Sequence, residues 1–394
     1  MEEANRMKRL PMYLFTIIDQ LKKEAMDRGM ETIDLGMGNP DLPTPQHIVD
    51  ELCLRAQETE NHRYSRSIDK VECELRQAIA GWYKMKFGVI LDPETEVLPL
   101  IGSKEGIAHI SLAFLNSDDI ALVPNPSYPV HFNGVLIAGG ILHNLPINQE
   151  NGFLPDFDSV PPDILKKTKL TFISYPNNPT AAIAPKSFFK KTVSFAKKNG
   201  IILIHDLAYS DIVFDGYEAS SILEVPGAKD TAVEFHTLSK SYNMAGWRIG
   251  FAVGNAKILK SLAKTKGYID FGLFKPIQYA AIKALTGPQA CVKKQVEIYR
   301  KRRDVMVDCL HEAGWKVPRP KATFYIWARI PDKYNALTSM EFVSLLIREV
   351  GVALAPGTGF GDYGEGFVRF ALVEREERLK EAVKRIKKVL EMEI

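Results

Sequence analysis

Thr231-Ala232-Val233-Glu234-Phe235-His236-Thr237-Leu238-Ser239-Lys240-Ser241-Tyr242-Asn243-Met244-Ala245-Gly246-Trp247-Arg248-Ile249-Gly250-Phe251-Ala252-Val253-Gly254 carries the pattern that organises the rest of the chain. Its ends, Thr231 to Phe235 and Gly250 to Gly254, have the apolar, β-branched and aromatic composition of buried strands. Between them lie several hydroxyls, one lysine and one arginine. A lysine at the end of a buried strand loses hydration, which favours its neutral amine and makes Lys240 a candidate nucleophile toward an aldehyde. The hydroxyls of Thr237 and Ser239 and the guanidinium of Arg248 are the donors a phosphate dianion needs. Aldehyde and phosphate together suggest pyridoxal phosphate. The same Ser and Thr also fit a polar loop that caps a helix, so other segments must decide.

Working outward, short apolar runs alternate with amphipathic helical stretches, the pattern of parallel strands joined by helices. The runs are Ile120 to Pro124, Leu170 to Ser174, Ile201 to His205 and Gly250 to Gly254, with a helix over Lys186 to Asn199 among the connections. Polar residues follow most of these strands directly, and open α/β sheets bind ligands outside the carboxyl ends of their strands. Past residue 285 the texture changes to a charged helix from Val292 to Ala313, a strand-like Thr323 to Trp327 and a final helix from Glu374 to Glu391. A helical pattern also spans Leu10 to Met30. The fold expected is α/β: a large body over 45–285 with a mostly parallel central sheet, and a smaller α+β unit from 1–44 and 286–394.

Composition narrows the function class. Of 394 residues, 46% are hydrophobic and 25% charged, ordinary values for a soluble globular enzyme. The net charge of +3 comes from dispersed residues, so no nucleic-acid footprint is expected. No apolar run reaches membrane-spanning length, and the polar start Met1-Glu2-Glu3-Ala4-Asn5 is unlike a signal peptide. Cys53, Cys73, Cys291 and Cys309 form neither a metal-binding pair nor a disulfide framework, which points to a reducing cytoplasm and no metal.

Other strand ends supply further candidates. In Asp206-Leu207-Ala208-Tyr209 a buried carboxylate could keep a pyridine nitrogen protonated, and Tyr209 could donate to the ring's phenolate oxygen. In Tyr175-Pro176-Asn177-Asn178-Pro179-Thr180 an asparagine amide could reach the same oxygen. Ile101-Gly102-Ser103-Lys104-Glu105-Gly106 opens a helical run whose backbone N–H groups suit a phosphate. Tyr128 could stack on a planar ring, and Arg369, among apolar neighbours, needs an anion such as a substrate carboxylate. Each has a plainer structural reading: a helix cap for Asp206, core packing for Tyr209, turns for Asn178 and Tyr128, and a salt bridge for Arg369.

Taken together, these residues resemble the class I and II aminotransferases, the fold-type I pyridoxal phosphate enzymes, over nearly the whole chain. The resemblance implies that Lys240 is the Schiff-base lysine and that Asp206 meets the pyridinium. It assigns Asn178 and Tyr209 to the phenolate oxygen, Ser103, Lys104, Thr237, Ser239 and Arg248 to the phosphate, and Tyr128 to the ring face. Arg369 and the backbone near Gly38 would take the α-carboxylate. Tyr64 looks like the tyrosine that the family lends to the phosphate of the neighbouring subunit in a homodimer. The blocks Leu10 to Tyr13, Gly38 to Asp41, Pro124 to Pro129 and Thr237 to Gly250 are most similar to bacterial alanine aminotransferases that use glutamate. LL-diaminopimelate aminotransferases share several of them, including a tyrosine like Tyr13 near the substrate.

The expected reaction moves an amino group between an L-amino acid, alanine in the first reading, and a 2-oxo acid, 2-oxoglutarate. LL-diaminopimelate or aspartate as donor, and lyase chemistry on the same cofactor, are the alternatives. A metal hydrolase using His205, Asp206 and His236 is a rival without supporting ligand spacing. Two departures from the family pattern stand out. Ala181 replaces the glycine that commonly follows Asn-Pro-Thr, and Ile68 to Cys73 lacks the usual glycine-containing turn.

Overall fold

In the computed structural model, which describes residues 2–11 and 14–392, the apolar runs become the strands of one central sheet. The strands in chain order are β1 (Ile33–Asp34), β2 (Val97–Leu100), β3 (Ile120–Asn125), β4 (Ile141–Pro146), β5 (Thr168–Ile173), β6 (Ile202–Asp206), β7 (Ala232–Thr237), β8 (Gly250–Gly254), β9 (Tyr325–Arg329), β10 (Val352–Ala353), β11 (Ala355–Pro356) and β12 (Phe367–Ala371). Seven of them form the order β2-β8-β7-β6-β5-β3-β4. Successive side chains leave a strand on opposite faces, so a strand covered on both sides must be apolar throughout. In β3, Ala121 and Val123 join the core on one face, while Ile120 and Leu122 join the core on the other. Helices Ser103–Phe114 and Ala256–Ile269 supply the first core, and helices Lys70–Phe87 and Lys186–Asn199 the second. Each fully buried Val, Leu or Phe contributes about 1.5–3 kcal/mol, so these two layers dominate the body's stability.

One expectation needs correction. The run Gly250 to Gly254 is not part of the parallel set: β8 is antiparallel to both β2 and β7. The stretch from Leu238 to Ile249 holds only a four-residue helix and a three-residue 3-10 turn, too little helix to recross the sheet. The chain therefore turns back at once, and Thr237 pairs with Gly250. This reversal places Arg248, which precedes its strand, at the same sheet edge as residues that follow theirs.

A third core gathers helix Leu14–Asp27, helix Ala290–Glu312, β9, β12 and helix Glu376–Leu390. β11, β12 and β9 form an antiparallel sheet there, and β1 pairs with β10 in parallel. Tyr209, Ile212 and Phe214, from the segment after β6, pack into this core as well. The strand expected at Thr323 starts two residues later. Thr323 adopts φ 65°, and its hydroxyl accepts the Tyr325 N–H at 3.1 Å, which makes a turn before β9.

Candidate active site

The carboxyl ends of β3, β5, β6 and β7 open on one cavity of about 230 Å³. Lys240 lies in the helical turn Leu238–Ser241 that follows β7. Its Nζ donates to the Gly38 carbonyl at 3.0 Å and lies 5.3 Å from the Phe324 ring centre. Desolvation, reinforced by the charges of Arg369 and Arg248 and opposed by Asp206, brings Lys240 down to about 8. The amine thus deprotonates far more readily than an ordinary lysine. The capping account of its neighbours also holds, because the Thr237 hydroxyl accepts the Ser239 N–H at 3.1 Å. Capping and lining the cavity coexist at Thr237 and Ser239.

Asp206 ends β6 and is buried. Its Oδ2 meets His131 Nε2 at 3.1 Å, while Oδ1 is buried with no hydrogen-bond partner among the described residues. No helix follows for it to cap. A buried carboxylate oxygen without a partner is costly, and the protonated nitrogen of a pyridine ring would satisfy it. His131 was not singled out in the sequence. It sits three residues after Tyr128 on helix Pro129–Ala138, its Nδ1 is 2.7 Å from Ser127 Oγ, and its ring stacks on Phe172.

Asn177 and Asn178 divide their labour. The Asn177 side chain holds its own turn by accepting from Thr180 N–H at 3.0 Å, whereas Asn178 lines the cavity. Asn178 Oδ1 accepts from Arg369 Nη1 at 2.7 Å, which turns its NH2 away from the arginine. Tyr209 is buried, its hydroxyl lies 2.9 Å from that of Tyr325, and burial holds its phenol well above the ordinary range. Tyr325, a second residue the sequence did not suggest, also explains Gly38: a Cβ there would collide with the Tyr325 hydroxyl.

At the other end of the cavity Ser103 and Lys104 start the helix Ser103–Phe114, and Tyr128 lies with its ring 5.7 Å from Lys104 Nζ. A Cβ on Gly250 would come within 2.7 Å of Ser103 N, so the bare glycine lets the helix N-terminus reach the sheet edge. Gly102 takes φ 79°, and a Cβ there would run into Arg248 Nη2. Partial burial and then Arg248 hold Lys104 below its ordinary value. Neither Lys104 nor Arg248 has a carboxylate partner among the described residues. Two cations, hydroxyls and a helix N-terminus form a donor set for a dianion.

Arg369 on β12 is buried, with Nη2 donating to the Gly36 carbonyl at 2.7 Å and its guanidinium 4.1 Å from the Tyr325 ring centre. Among the described residues its Nε is buried without a hydrogen-bond partner, and no carboxylate pairs with it. Among the described residues no salt bridge accounts for Arg369, and an incoming carboxylate would supply the anion it lacks. Tyr64 lies outside this cavity, 83% exposed and edge-on to Phe271. Tyr13 falls outside the described residues. The metal-hydrolase grouping does not assemble: His205 and His236 both turn to the buried Glu234, at 2.7 and 3.0 Å, while Asp206 faces the cavity. Glu105, His109 and Asp270 do cluster, but Lys266 Nζ already lies 3.2 Å from Glu105 and 2.6 Å from Asp270.

The family described as aminotransferase class I and II matches residues 30–386. The chain belongs to this family. It is a pyridoxal phosphate-dependent aminotransferase, and the orphaned Asp206 oxygen, Arg369 with no carboxylate beside it among the described residues, and the dianion cradle fit that cofactor and an amino-acid substrate. It is 48% identical to an LL-diaminopimelate aminotransferase of Moorella thermoacetica, over 99% of each chain. It is 50% identical to the glutamate-pyruvate aminotransferase AlaC of Escherichia coli, over 97% of this chain and 92% of that one. Substrate-bound BacF from Bacillus subtilis superposes with a TM-score of 0.93 at 40% identity, covering 99% of this chain and 98% of that one.

Proposed function

We propose that this aminotransferase takes its amino group from LL-diaminopimelate and passes it to 2-oxoglutarate, with alanine as the second donor reading. Alanine gives up first place because several relatives of 47–49% identity across nearly the whole chain carry the LL-diaminopimelate name, against one glutamate-pyruvate enzyme at 50%. The observation that carries the amino-acid reading is Arg369, a buried guanidinium without an acidic partner among the described residues, lining the same cavity as a lysine lowered to about 8. Bound pyridoxal phosphate supplies an aldehyde for the donor's amino group and a ring that accepts electrons. Arg369 holds the α-carboxylate, and Lys240 Nζ takes the proton from the donor's α-carbon. Asp206, held by His131, keeps the ring nitrogen protonated. Asn178 and Tyr209 serve the ring oxygen, and Ser103, Lys104, Thr237, Ser239 and Arg248 the phosphate. Tyr128 covers the ring face, and Gly38 with Tyr13 borders the substrate.

The proposal extends to assembly. Residues 45–285 form the cofactor-binding body and 1–44 with 286–394 the smaller unit, acting as a cytoplasmic homodimer in which Tyr64 serves the partner's phosphate site. Supporting this, Tyr64, Ile68, Tyr268, Phe271 and Phe274 are large apolar side chains left exposed on the single chain. The test is a donor panel of LL-diaminopimelate, alanine and aspartate, each followed as a half-reaction at the cofactor absorbance. LL-diaminopimelate should give a kcat/KM at least about 10-fold above alanine, a difference of about 1.4 kcal/mol. Faster conversion by alanine would reverse the donor order, and pyruvate with ammonia released in the absence of a 2-oxo acid would indicate a lyase. Lys240→Ala should be inert in every half-reaction.

A further inference from the structure

Helix Ala290–Glu312 buries Gln295, Tyr299, Arg302 and Arg303, residues spaced to share one face. Three of these polar side chains each grip a different segment of the active site. Arg302 donates through both Nη atoms to Asp41, at 2.7 and 2.8 Å, and so anchors the segment that bears Gly38. Arg303 binds Asp215, which ends the stretch that starts at Asp206 and Tyr209. Gln295 reaches furthest into the chemistry: its Nε2 donates to the main-chain carbonyl of Lys240 itself. Its Oε1 accepts from Asn243 Nδ2 at 2.7 Å, and Asn243 in turn donates to the Pro43 carbonyl at 3.3 Å. The Asn243 carbonyl accepts from the Thr44 hydroxyl at 2.7 Å.

We propose that Gln295 is a positioning residue for Lys240, fixing the lysine's backbone against the segment whose Gly38 carbonyl holds its Nζ. This rests on the assignment of Lys240 as the reactive lysine. An amide suits the place because one side chain must donate to a carbonyl and accept from an NH2 at the same time. A carboxylate could only accept and would oppose the Lys240 carbonyl. An apolar side chain of equal length would leave the Lys240 carbonyl without this donor and take one of the two acceptors from the Asn243 amide. Ser241, the next residue, donates its hydroxyl to Asp211, which pairs with Lys86, so two adjacent residues of the turn are each tied to a separate segment. With the turn held this way, the amine keeps one direction toward the cavity.

The test compares wild type with Gln295→Met and Asn243→Leu, each loaded with pyridoxal phosphate, and reads the pH midpoint of the visible cofactor absorbance, kcat, KM and Tm. Gln295→Met should move the midpoint by half a unit or more and lower kcat about 10-fold, with KM for the donor within two-fold. Asn243→Leu should move both in the same sense, and the double variant should lower kcat little further than Gln295→Met. An unmoved midpoint, with or without a fall in Tm or kcat, overturns the proposal. If Gln295→Met fails to fold, Gln295→Glu and Asn243→Leu answer the same question by the same midpoint. A Lys240→Ala variant that kept the wild-type cofactor absorbance and its pH midpoint would instead overturn the assignment of Lys240.

Discussion

At the scale of single residues, Lys240 shows how burial becomes reactivity. Its ordinary value of 10.5 falls to about 8 because protein replaces water around the amine and two guanidiniums lie nearby. The folded chain then binds the lysine's proton less tightly than the unfolded chain. The resulting penalty on the fold is complete below pH 8 and fades as pH rises from about 8 to 10.5. Stability of the apoprotein should therefore increase across that window, by up to about 2–3 kcal/mol after allowing for the amine's partial exposure. Urea titrations at pH 7.5 and 10 read this directly: wild type should gain on Lys240→Met, and equal changes in both would refute the burial account. Asp206 and Arg369 follow the same logic, since each leaves a buried atom without a partner that a bound molecule would satisfy.

At the scale of elements, one strand reversal assembles the proposed phosphate end. Because β8 runs antiparallel, Arg248 meets Gly102 and the helix that Ser103 begins. Gly102 is required there for two reasons: its φ of 79° suits glycine, and any Cβ would displace the Arg248 guanidinium. Gly102→Ala should weaken pyridoxal phosphate retention about 10- to 100-fold, equivalent to about 1.4–2.8 kcal/mol, with a smaller effect on Tm. Dialysis of the loaded enzyme followed by absorbance measures it; retention equal to wild type would show that the guanidinium relocates without loss. Ala181 has the opposite relation to its backbone. It occupies φ 57° with a methyl group, at the position where glycine is common in the family, so the departure read in the sequence falls on a conformation that favours glycine.

At the scale of the whole molecule, exposed aromatic surface supports the proposed homodimer. Tyr268 is 87% exposed and Tyr64 83%, and Phe271 packs edge-on to Tyr64 at 5.4 Å. A monomer gains nothing from leaving such surface in water. Tyr268→Asp combined with Phe271→Asp should halve the sedimenting mass while keeping the far-ultraviolet spectrum, because both side chains are on the surface. If Tyr64 serves the partner's site, activity should fall with the dimer. A wild-type protein that sediments as a monomer would remove the basis for this assignment.

Much of the fold and site was legible in the linear order of residues. Short, continuous apolar runs announced the buried strands, and the polar residues immediately after them fell at one edge because parallel strands share a direction. Lys240, Asp206 and Asn178 could be nominated in this way, each from its own strand end, and Ser103 from the helical run it opens. What the order alone could not decide were relations between distant segments. The reversal of β8 depends on how little helix the Lys240 turn contains. His131, Tyr325 and Gln295 carry no local signature, since a histidine, a tyrosine and a glutamine at helical or strand spacing read as ordinary core positions. Only folding brings His131 to Asp206, Tyr325 against Gly38 and Gln295 onto the carbonyl of Lys240. Sequence determined which chemical groups the protein owns, because local hydration and strand pattern act over a few residues. Tertiary structure decided which of them meet, because hydrogen bonds and charge act over ångströms between residues that can lie more than a hundred positions apart.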